Sequence, residues 1–496
     1  MVFEPRLDLT RRTFLGTVTA LCAVAEDSGW TPLFDGTLKG WHAGEHAASW
    51  RIAEEHLVAA GPSSHLFYAG PVAAAQFRNF ELELECLTEP GCISGLYFHS
   101  TYQPAGAPKD GLKVQIANTP AAQGSFTDRS KTGSLVGIRN IYKQFAADKE
   151  WCKLRVAVRG PNVQVRLNDM LLVDYTEPAT PLPPSLVPPL GRGKFALECQ
   201  GGVPPVRFCA IRVRPLPDDL PAPAEPRPAV DSVYRDIVEF GRANIPMVDY
   251  HVHLKGGLTL GDALAKSRQV GIEYGLAVNC GKGFPTENDE AAARYVDSMR
   301  TQPAFIAMQA EGREWMQMFT RRAVSLFDYV FTDSMTWTDD RGLRRRLWLP
   351  DEVGAIPDAQ EFMEILVRRT VGILEHEPID IYVNPSYLPE QIKHDYDRLW
   401  TEERIAKVVT AAARNQVAIE LNDLRHLPSP AFVRMAKSAG CKFTMGTNNT
   451  APKDLGRSEY GLRIIRECNL GWQDFFVPGA WWPRAFDRKG DALRPA

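Results

Sequence analysis

A proline-rich stretch divides this chain into two parts that carry different residue patterns. Six prolines lie between residues 215 and 228, separated mostly by acidic residues and alanine. Proline fixes its own backbone angle and lacks a backbone donor, so this stretch cannot build a core and is typical of a semi-rigid linker. At 496 residues the chain is too long for one ordinary domain. We therefore predict two domains, 28–216 and 231–490, joined by a linker at 217–230.

The part before the linker has the pattern of short strands. Residues 80–86 alternate strictly between apolar and acidic side chains, and residues 151–159 and 163–167 alternate in the same way. Such alternation is typical of strands with one buried face. No long segment of helical periodicity interrupts them, so we predict a β-sandwich or jelly roll.

The part after the linker alternates short apolar strands with longer helical segments, a pattern typical of a parallel sheet covered by helices. Thr401 and Ser429 each precede a segment of helical spacing and are expected to cap it. Seven units favour a closed or nearly closed (β/α) barrel. The predicted strands are 246–253, 272–279, 304–310, 328–333, 379–384, 417–421 and 442–447.

The first of these strands contains Asp249, His251 and His253. Residues two apart in a strand project to the same face, so these three side chains are expected to lie together. Imidazole nitrogens and carboxylate oxygens are ligands for divalent metals. We therefore predict a metal or catalytic role for this strand.

Polar residues also follow the other predicted strands. In barrels of parallel strands the active site lies at the carboxyl ends, where such residues would converge. We expect a shared site there, drawing on Asn279, Glu311, Asp333, Asn384, Glu420, Asn422, Asn448 and Asn449.

Several motifs of the first part resemble the 3-keto-disaccharide hydrolase domain family. They include Gly29-Trp30-Thr31-Pro32-Leu33-Phe34-Asp35-Gly36 and Ser94-Gly95-Leu96-Tyr97-Phe98-His99. The resemblance implies a concanavalin/lectin-like jelly roll that recognises sugars, in some members cleaving glycosides oxidised at the third carbon. This chain has Lys113 where the family usually has Glu, and its 198–202 segment lacks the family's histidine. The residues expected to line a sugar site are His99, Lys113, Gln115 and Arg139.

The Asp249-to-His253 run resembles the first motif of the polymerase and histidinol phosphatase (PHP) superfamily, whose barrels bind one to three divalent ions. Glu311 resembles its bridging glutamate, and Glu420 a later acidic position. The last motif of the superfamily, usually Gly-Ser-Asp-Ala-His, reads Gly-Thr-Asn-Asn-Thr at 446–450. Because asparagine binds metals weakly, the resemblance implies one ion rather than three. His251, His253 and Glu311 are its expected ligands; Asp333 and Glu420 are the expected acid–base groups, and Asp249 and the asparagines are expected to line the pocket.

These features predict a hydrolase that processes an oxidised or esterified sugar, with a sugar-recognising jelly roll and a metal-dependent barrel. Three alternatives remain open. In the first alternative the barrel is a metal-dependent phosphoesterase. In the second the jelly roll itself cleaves keto-glycosides, and in the third both parts only bind sugar.

The amino terminus and the composition bear on location and partners. Paired arginines at 11–12 precede Phe14-Leu15, an apolar stretch and Ala23-Val24-Ala25. This order resembles a twin-arginine signal peptide spanning residues 1–25, which predicts a periplasmic or secreted protein. The net charge of −3 and the absence of a basic block argue against nucleic acid as a partner. No apolar run reaches the length of a membrane span. The nine cysteines show no metal-binding spacing.

Overall fold

The structure is a computed structural model that describes residues 29–120, 130–220, 227–339 and 341–495. The predicted signal peptide at 1–25 and part of the predicted linker lie outside these residues. Within the described ranges no helix combines the length and the apolar character that crossing a membrane requires.

The first part of the chain is an antiparallel sandwich of two sheets, which confirms the predicted jelly-roll class. Its strands are β1 (Thr31–Pro32), β2 (Trp41–Ala43), β3 (Trp50–Ala53), β4 (His56–Ala59), β5 (Ser64–Tyr68), β6 (Asn79–Thr88), β7 (Ser94–Ser100), β8 (Leu112–Ile116), β9 (Trp151–Arg159), β10 (Asn162–Leu167), β11 (Met170–Thr176), β12 (Lys194–Cys199) and β13 (Val206–Leu216). One sheet has the order β11-β10-β9-β6-β13-β4-β3, with β1 paired to β13, and the other has the order β2-β5-β12-β7-β8.

The alternation in the sequence explains how β6 sits in its sheet. Phe80, Leu82 and Leu84 point into the core between the two sheets and are completely buried. The glutamates between them point to the outer face, where Glu81 is covered by arginines of β9 and β13. Burial of the apolar face on one side therefore fixes the register of the central strand.

The second part contains seven parallel strands that close into a barrel, as predicted. They are β14 (Val248–His253), β15 (Glu273–Cys280), β16 (Phe305–Ala310), β17 (Tyr329–Thr332), β20 (Ile381–Tyr382), β21 (Ala418–Asn422) and β22 (Phe443–Gly446). An antiparallel hairpin of β18 (Thr336–Thr338) and β19 (Arg344–Arg346) follows β17. Each predicted barrel strand overlaps an observed one, and the observed strands are mostly shorter.

Helices cover the outside of the barrel. They are α1 (Ser232–Arg242), α2 (Leu260–Val270), α3 (Asp289–Met299), α4 (Arg321–Val324), α5 (Pro350–Val353), α6 (Ala359–His376), α7 (Tyr396–Leu399), α8 (Glu402–Arg414), α9 (Pro430–Ser438), α10 (Glu459–Glu467) and α11 (Ala485–Lys489). The predicted caps are present: the Thr401 side chain accepts from the backbone of Arg404, and that of Ser429 from Phe432. Each satisfies a donor that the first turn of a helix leaves free.

The interior of the barrel is filled by large side chains from its strands, among them Tyr250, Phe305 and Tyr329. The sandwich also contributes to this interior. Tyr142, in the sandwich loop after β8, is 2% exposed and packs with them, and its hydroxyl donates to the carbonyl of Ile245 at 3.0 Å. One side chain of the first part thus completes the core of the second.

Candidate functional site

The two histidines of β14 lie side by side at the carboxyl end of the barrel. His251 and His253 are 0% and 3% exposed, and their ring centroids are 5.2 Å apart. The Nδ1–H of His251 donates to Oε1 of Glu420 at 2.6 Å, and that of His253 donates to the carbonyl of Ala277 at 3.1 Å. A carbonyl only accepts, so the proton of neutral His253 is on Nδ1. Burial, followed by the nearby His251, holds the pKa of His253 well below its usual range, which keeps this ring neutral.

The Nε2 atoms of the two rings are both buried and make no hydrogen bond of normal geometry among the described residues, and the Gln309 side chain lies next to the His253 ring. An unpaired buried nitrogen is costly, and native structures rarely leave one without a reason. Histidines that bind metals show this arrangement: Nδ1 donates to a carboxylate or carbonyl, and Nε2 offers its lone pair.

Glu420 connects His251 to the asparagines on the neighbouring strand ends. Besides His251, it accepts hydrogen bonds at Oε2 from the backbone of Asn384 at 2.7 Å and from the side chain of Asn422 at 2.9 Å. Asn448 and Asn422 in turn donate to Oδ1 of Asn384 at 3.0 and 3.2 Å. These predicted pocket residues therefore form one hydrogen-bonded network whose carboxylate holds a histidine ring.

Two further carboxylates lie on the same end of the barrel. Glu311 accepts at Oε1 from the side chain of Asn279 at 2.7 Å, and Asp333 accepts at Oδ2 from Asn384 at 3.0 Å. Burial, followed by the nearby Asp333, raises the pKa of Glu311 to about 8. Burial also raises the pKa of Asp333, against the effect of its hydrogen bonds. The charge of Asp333 thus favours the protonated form of Glu311, and a cation would stabilise both carboxylates as anions.

Asp249 and Asn449 hold the backbone rather than face the pocket. Asp249 accepts at Oδ1 from the backbones of His251 and Thr447, at 3.0 and 2.9 Å, and its other oxygen accepts from the Thr447 hydroxyl. Burial raises the pKa of Asp249 to about 6. The side chain of Asn449 makes two hydrogen bonds with the backbone of His253. These two residues therefore fasten the histidine strand to the loop after β22.

The site fits a divalent metal in the chemistry of its donors. Two imidazole nitrogens with free lone pairs lie at the same barrel end as two carboxylates, the ligand types that zinc and related ions prefer. No three His, Cys, Asp or Glu side chains of the described residues are already gathered at the spacing of a metal site. A complete coordination shell is therefore not assembled among these residues.

The sugar-site residues predicted for the sandwich divide into two groups. Lys113 and Gln115 lie on the outer face of the β2-β5-β12-β7-β8 sheet, turned away from the core. His99 accepts from the backbone of Gly191 and bonds the carbonyl of Arg78, so both ring nitrogens are occupied. Arg139 packs between Tyr175 and Tyr234 next to Gly271 of the barrel part. The structure thus places His99 and Arg139 in supporting positions, apart from the other two.

The same outer face carries three residues that were not predicted from the sequence. Glu198 forms an ion pair with Lys113 at 2.6 Å and lies opposite His65 on the neighbouring strand. Tyr97 packs edge-on against His65. Both ring nitrogens of His65 are buried without a hydrogen-bond partner among the described residues. The sequence feature that could have identified these residues is the alternation within β5, β7 and β12, which places every second residue on this face.

Part of this face opens into a cavity of about 280 Å³ between the sandwich and the barrel part. Lys113, Gln115 and Gln200 line one side, and Gly241, Arg242 and Asn244 line the other. This end of the barrel is the amino-terminal one, because Asn244 precedes β14.

Comparison with known families finds one match. Residues 29–214 match the family model described as a 3-keto-alpha-glucoside-1,2-lyase-like domain. This confirms the resemblance of the first part of the chain. Comparison with curated proteins finds none that matches.

Similar solved structures cover the two parts separately. A putative glycosyl hydrolase from Parabacteroides distasonis is 20% identical over 38% of this chain and 94% of its own, with a TM-score of 0.33. The carbohydrate-binding module CBM66 from Bacillus subtilis is 12% identical over 35% and 95%, with a TM-score of 0.25. A histidinol phosphate phosphatase from Lactococcus lactis, solved with zinc, L-histidinol and phosphate, is 13% identical over 47% and 100%, with a TM-score of 0.35. At these values the likenesses say nothing about the reaction of this chain.

Proposed function

We propose that this chain is a carbohydrate-processing hydrolase whose barrel uses one divalent metal ion to act on an oxidised or esterified sugar. In this proposal His251 and His253 hold the ion through Nε2, and Glu311 completes the set. The observation that carries the proposal is the pair of buried Nε2 atoms that make no hydrogen bond of normal geometry among the described residues, each on a ring whose Nδ1 is already fixed. The sugar class is supported by the family match of the sandwich.

The other residues of the site have distinct roles in the proposal. Glu420 orients the ring of His251, and the asparagine network holds Glu420 and Asp333 in place. Asp333 is the general base, since burial raises its pKa towards the range in which a carboxylate takes up a proton. When bound, a divalent ion would supply Lewis acidity that polarises a carbonyl or phosphoryl oxygen of the substrate.

Metal analysis of the purified full-length chain tests this directly. We expect about one equivalent of a divalent metal, lost in the double variant His251→Ala/His253→Ala. The matched control is His394→Ala, because this imidazole is largely exposed. Retention of metal in the double variant would refute the assignment of these ligands.

Activity distinguishes the metal role from a structural one. Hydrolysis of acetylated sugars by the full chain should stop on treatment with a chelator and return when zinc or manganese is added. Asp333→Asn should retain the metal and lose activity by about 100-fold or more, as expected for a general base. If Asp333→Asn hydrolyses at the normal rate, the base is a different residue.

A phosphoester is a second candidate substrate because of the charges at the mouth of the barrel. Lys255 lies near both Glu311 and Arg425, and the Arg425 guanidinium is stacked on Tyr387. Cations at this position would attract a phosphoryl group. If the substrate is a phosphoester, Lys255→Ala should raise KM for it more than it lowers kcat. A change confined to acetylated sugars would rule this candidate out.

The amino-terminal residues complete the proposal. Residues 1–25 are proposed to direct export through a twin-arginine route. Fusing them to a reporter and replacing Arg11 and Arg12 by lysine should retain the reporter in the cytoplasm. A reporter that remains cytoplasmic even with both arginines present would remove export from the proposal.

A further inference from the structure

The two faces of the hairpin β18–β19 border different parts of the protein. Its register pairs Thr336 with Arg346 and Trp337 with Arg345. Directly opposed residues of an antiparallel pair lie on the same face, and successive residues lie on opposite faces. Thr336 and Arg346 therefore share one face, and Trp337 and Arg345 share the other.

The first face is turned towards the barrel site. The Thr336 hydroxyl lies beside the carboxylate of Glu311, and the positive charge of Arg346 acts on the same carboxylate. The Arg344 guanidinium, which the alternation also assigns to this face, lies over the ring of Phe284 in the loop after β15 at 4.3 Å.

The second face borders a separate cavity. The volume of about 450 Å³ lies between this face and helices α5 and α6. Its apolar lining comes mainly from α6 and the segment before it, including Ile356, Phe362 and Leu366. Ile365, also in the lining, is 44% exposed. The size lies within the range of ordinary small-molecule sites, and the lining is mostly apolar as in such sites.

One cation in this cavity has no counter-charge. The guanidinium of Arg369 lies 3.7 Å from the ring centroid of Trp337, and among the described residues it forms no hydrogen bond or ion pair. Burial, followed by the nearby Arg313, lowers the pKa of Arg369 to about 10. No nitrogen of Arg369 is both buried and unpaired, so its donors are open to a ligand that carries an anionic group.

The acidic residues around the cavity do not fill this role. Asp339 pairs with Arg345, and Glu352 pairs with Arg346. Asp358 accepts from the backbone at the start of α6. Glu361 also lines the cavity, but it lies on the exposed side of the first turn of α6, two turns of helix before Arg369. None of these four carboxylates forms an ion pair with Arg369.

We propose that the cavity bounded by Trp337, Phe362 and Arg369 binds a small amphipathic organic anion, with its carboxylate on Arg369 and its apolar body against α6. This site is distinct from the barrel site and lies on the opposite face of the same hairpin. A ligand there would fix the position of Trp337, and through the backbone also that of Thr336, which is next to Glu311. The inference does not depend on the reaction proposed for the barrel.

A pair of probes that differ only in charge tests the site. We would titrate the full-length chain with 2-naphthoate and with 2-naphthamide and follow binding by calorimetry. The unmodified protein should bind naphthoate saturably. Arg369→Gln should weaken naphthoate binding by about tenfold or more, the value of one charge-assisted contact, and should leave naphthamide binding unchanged.

Two further variants test whether the effect is specific to Arg369 and whether the apolar lining of the cavity contributes to binding. Arg368→Gln removes an exposed guanidinium from the adjacent position of α6, outside this cavity, and should bind naphthoate normally. Ile365→Glu, at a half-exposed position that tolerates a charge, should weaken both probes. The proposal is overturned if naphthoate does not saturate, if Arg369→Gln binds it as well as the unmodified chain does, or if Arg368→Gln weakens it equally.

Discussion

Gly446 lies directly against the pair formed by Glu420 and His251. A Cβ atom at this position would be 2.2 Å from Oε1 of Glu420 and 2.9 Å from Cβ of His251. Both approaches are closer than atoms tolerate, and the neighbours are packed too tightly to withdraw. The missing side chain therefore creates the space in which the carboxylate reaches the imidazole. No spacing rule applied to the sequence would have identified this glycine as part of the site.

In the proposed metal site, the carboxylate of Glu420 would act on the ion through His251. Glu420→Gln should weaken zinc binding by about 10- to 100-fold, because the acceptor of the Nδ1 proton loses its charge and the ring becomes a poorer donor. The measurement is zinc affinity of the full chain in competition with a chelator. Glu403→Gln, which alters an exposed carboxylate of α8, is the control and should bind zinc normally. Equal affinities for the two variants would mean that Glu420 does not support the ligand.

The carboxyl of Glu273 makes stability depend on pH. It is buried where the sandwich meets the barrel, accepts from the backbone of Tyr142 at 2.8 Å, and lies near Lys143 and Asp328. Burial raises the pKa of Glu273 from 4.5 to about 7. The folded state then binds the proton more tightly than the unfolded state, so this contribution is complete below about pH 4.5 and is lost as pH rises through 7.

Replacing the Glu273 carboxyl by an amide should remove its contribution to the pH dependence of stability. Glu273→Gln should become more stable relative to the unmodified chain between pH 5 and pH 8, by up to about 3 kcal/mol, because each pKa unit corresponds to about 1.4 kcal/mol. Urea unfolding at several pH values measures the difference. Glu459→Gln, at an exposed position of α10, should show no such trend. A constant difference across the pH range would contradict the assignment.

Neighbouring strands β6 and β9 place two cysteines opposite each other. Cys86 and Cys152 are register partners, both are buried, and their Sγ atoms are 3.5 Å apart. All eight cysteines of the described residues are buried, and none of them forms a disulfide. Strand pairing brings these two sulfurs together although 66 residues separate them along the chain. The sequence alone could not indicate the pair, because it depends on which strands are neighbours.

These two thiols should form a disulfide when the chain folds in the presence of a disulfide oxidant. The oxidant would accept two electrons and the two thiol protons would be released as the sulfur–sulfur bond forms. Counting thiols in the unfolded chain should show two fewer after oxidative refolding, and none fewer in Cys86→Ala. The bond should stabilise the fold by roughly 2–4 kcal/mol. Loss of a different pair would show that another cysteine is closer during folding.

At the scale of the whole molecule, the barrel site with its two histidines and the sandwich face that carries Lys113 lie at opposite ends of the barrel. The sandwich contacts residues that precede or begin barrel strands, among them Ile245, Glu273 and Asp328. The histidines, Glu311 and Glu420 lie at or after the carboxyl ends. A six-residue strand spans about 20 Å. A single sugar unit therefore cannot touch Lys113 and His253 at once.

Tyr142 makes the barrel depend on the sandwich. Tyr142→Ala should destabilise the full chain by about 3–5 kcal/mol, the usual cost of removing a large aromatic side chain from a packed core. The control is Tyr102→Ala, because Tyr102 is 37% exposed. Chemical unfolding followed by intrinsic fluorescence measures both. Equal stability of the two variants would show that the barrel interior closes without the sandwich. For the same reason, activity is best tested on the full chain and not on a barrel fragment.

Much of the architecture could be predicted because it follows from local patterns. The alternation at 80–86 and the seven strand–helix units depend on which faces are apolar, and burial of those faces produced the predicted sandwich and barrel. The sites were harder to predict. His99 and Arg139 belong to segments that resemble a sugar-binding family, but the chain turns them towards backbone groups and towards the barrel part. Glu198 and His65 meet only because β12 pairs with β5.

The sequence by itself determined the two-part organisation, the strand and helix periods and the convergence of polar residues at the barrel's carboxyl end. These follow from the side-chain periods of strands and helices and from the geometry shared by parallel barrels. Only the tertiary structure decided which nitrogen of each histidine is free, that Gly446 makes room for Glu420, and that Tyr142 fills the other end of the barrel. These features join residues far apart in the chain, and contacts of that kind are set by packing in three dimensions.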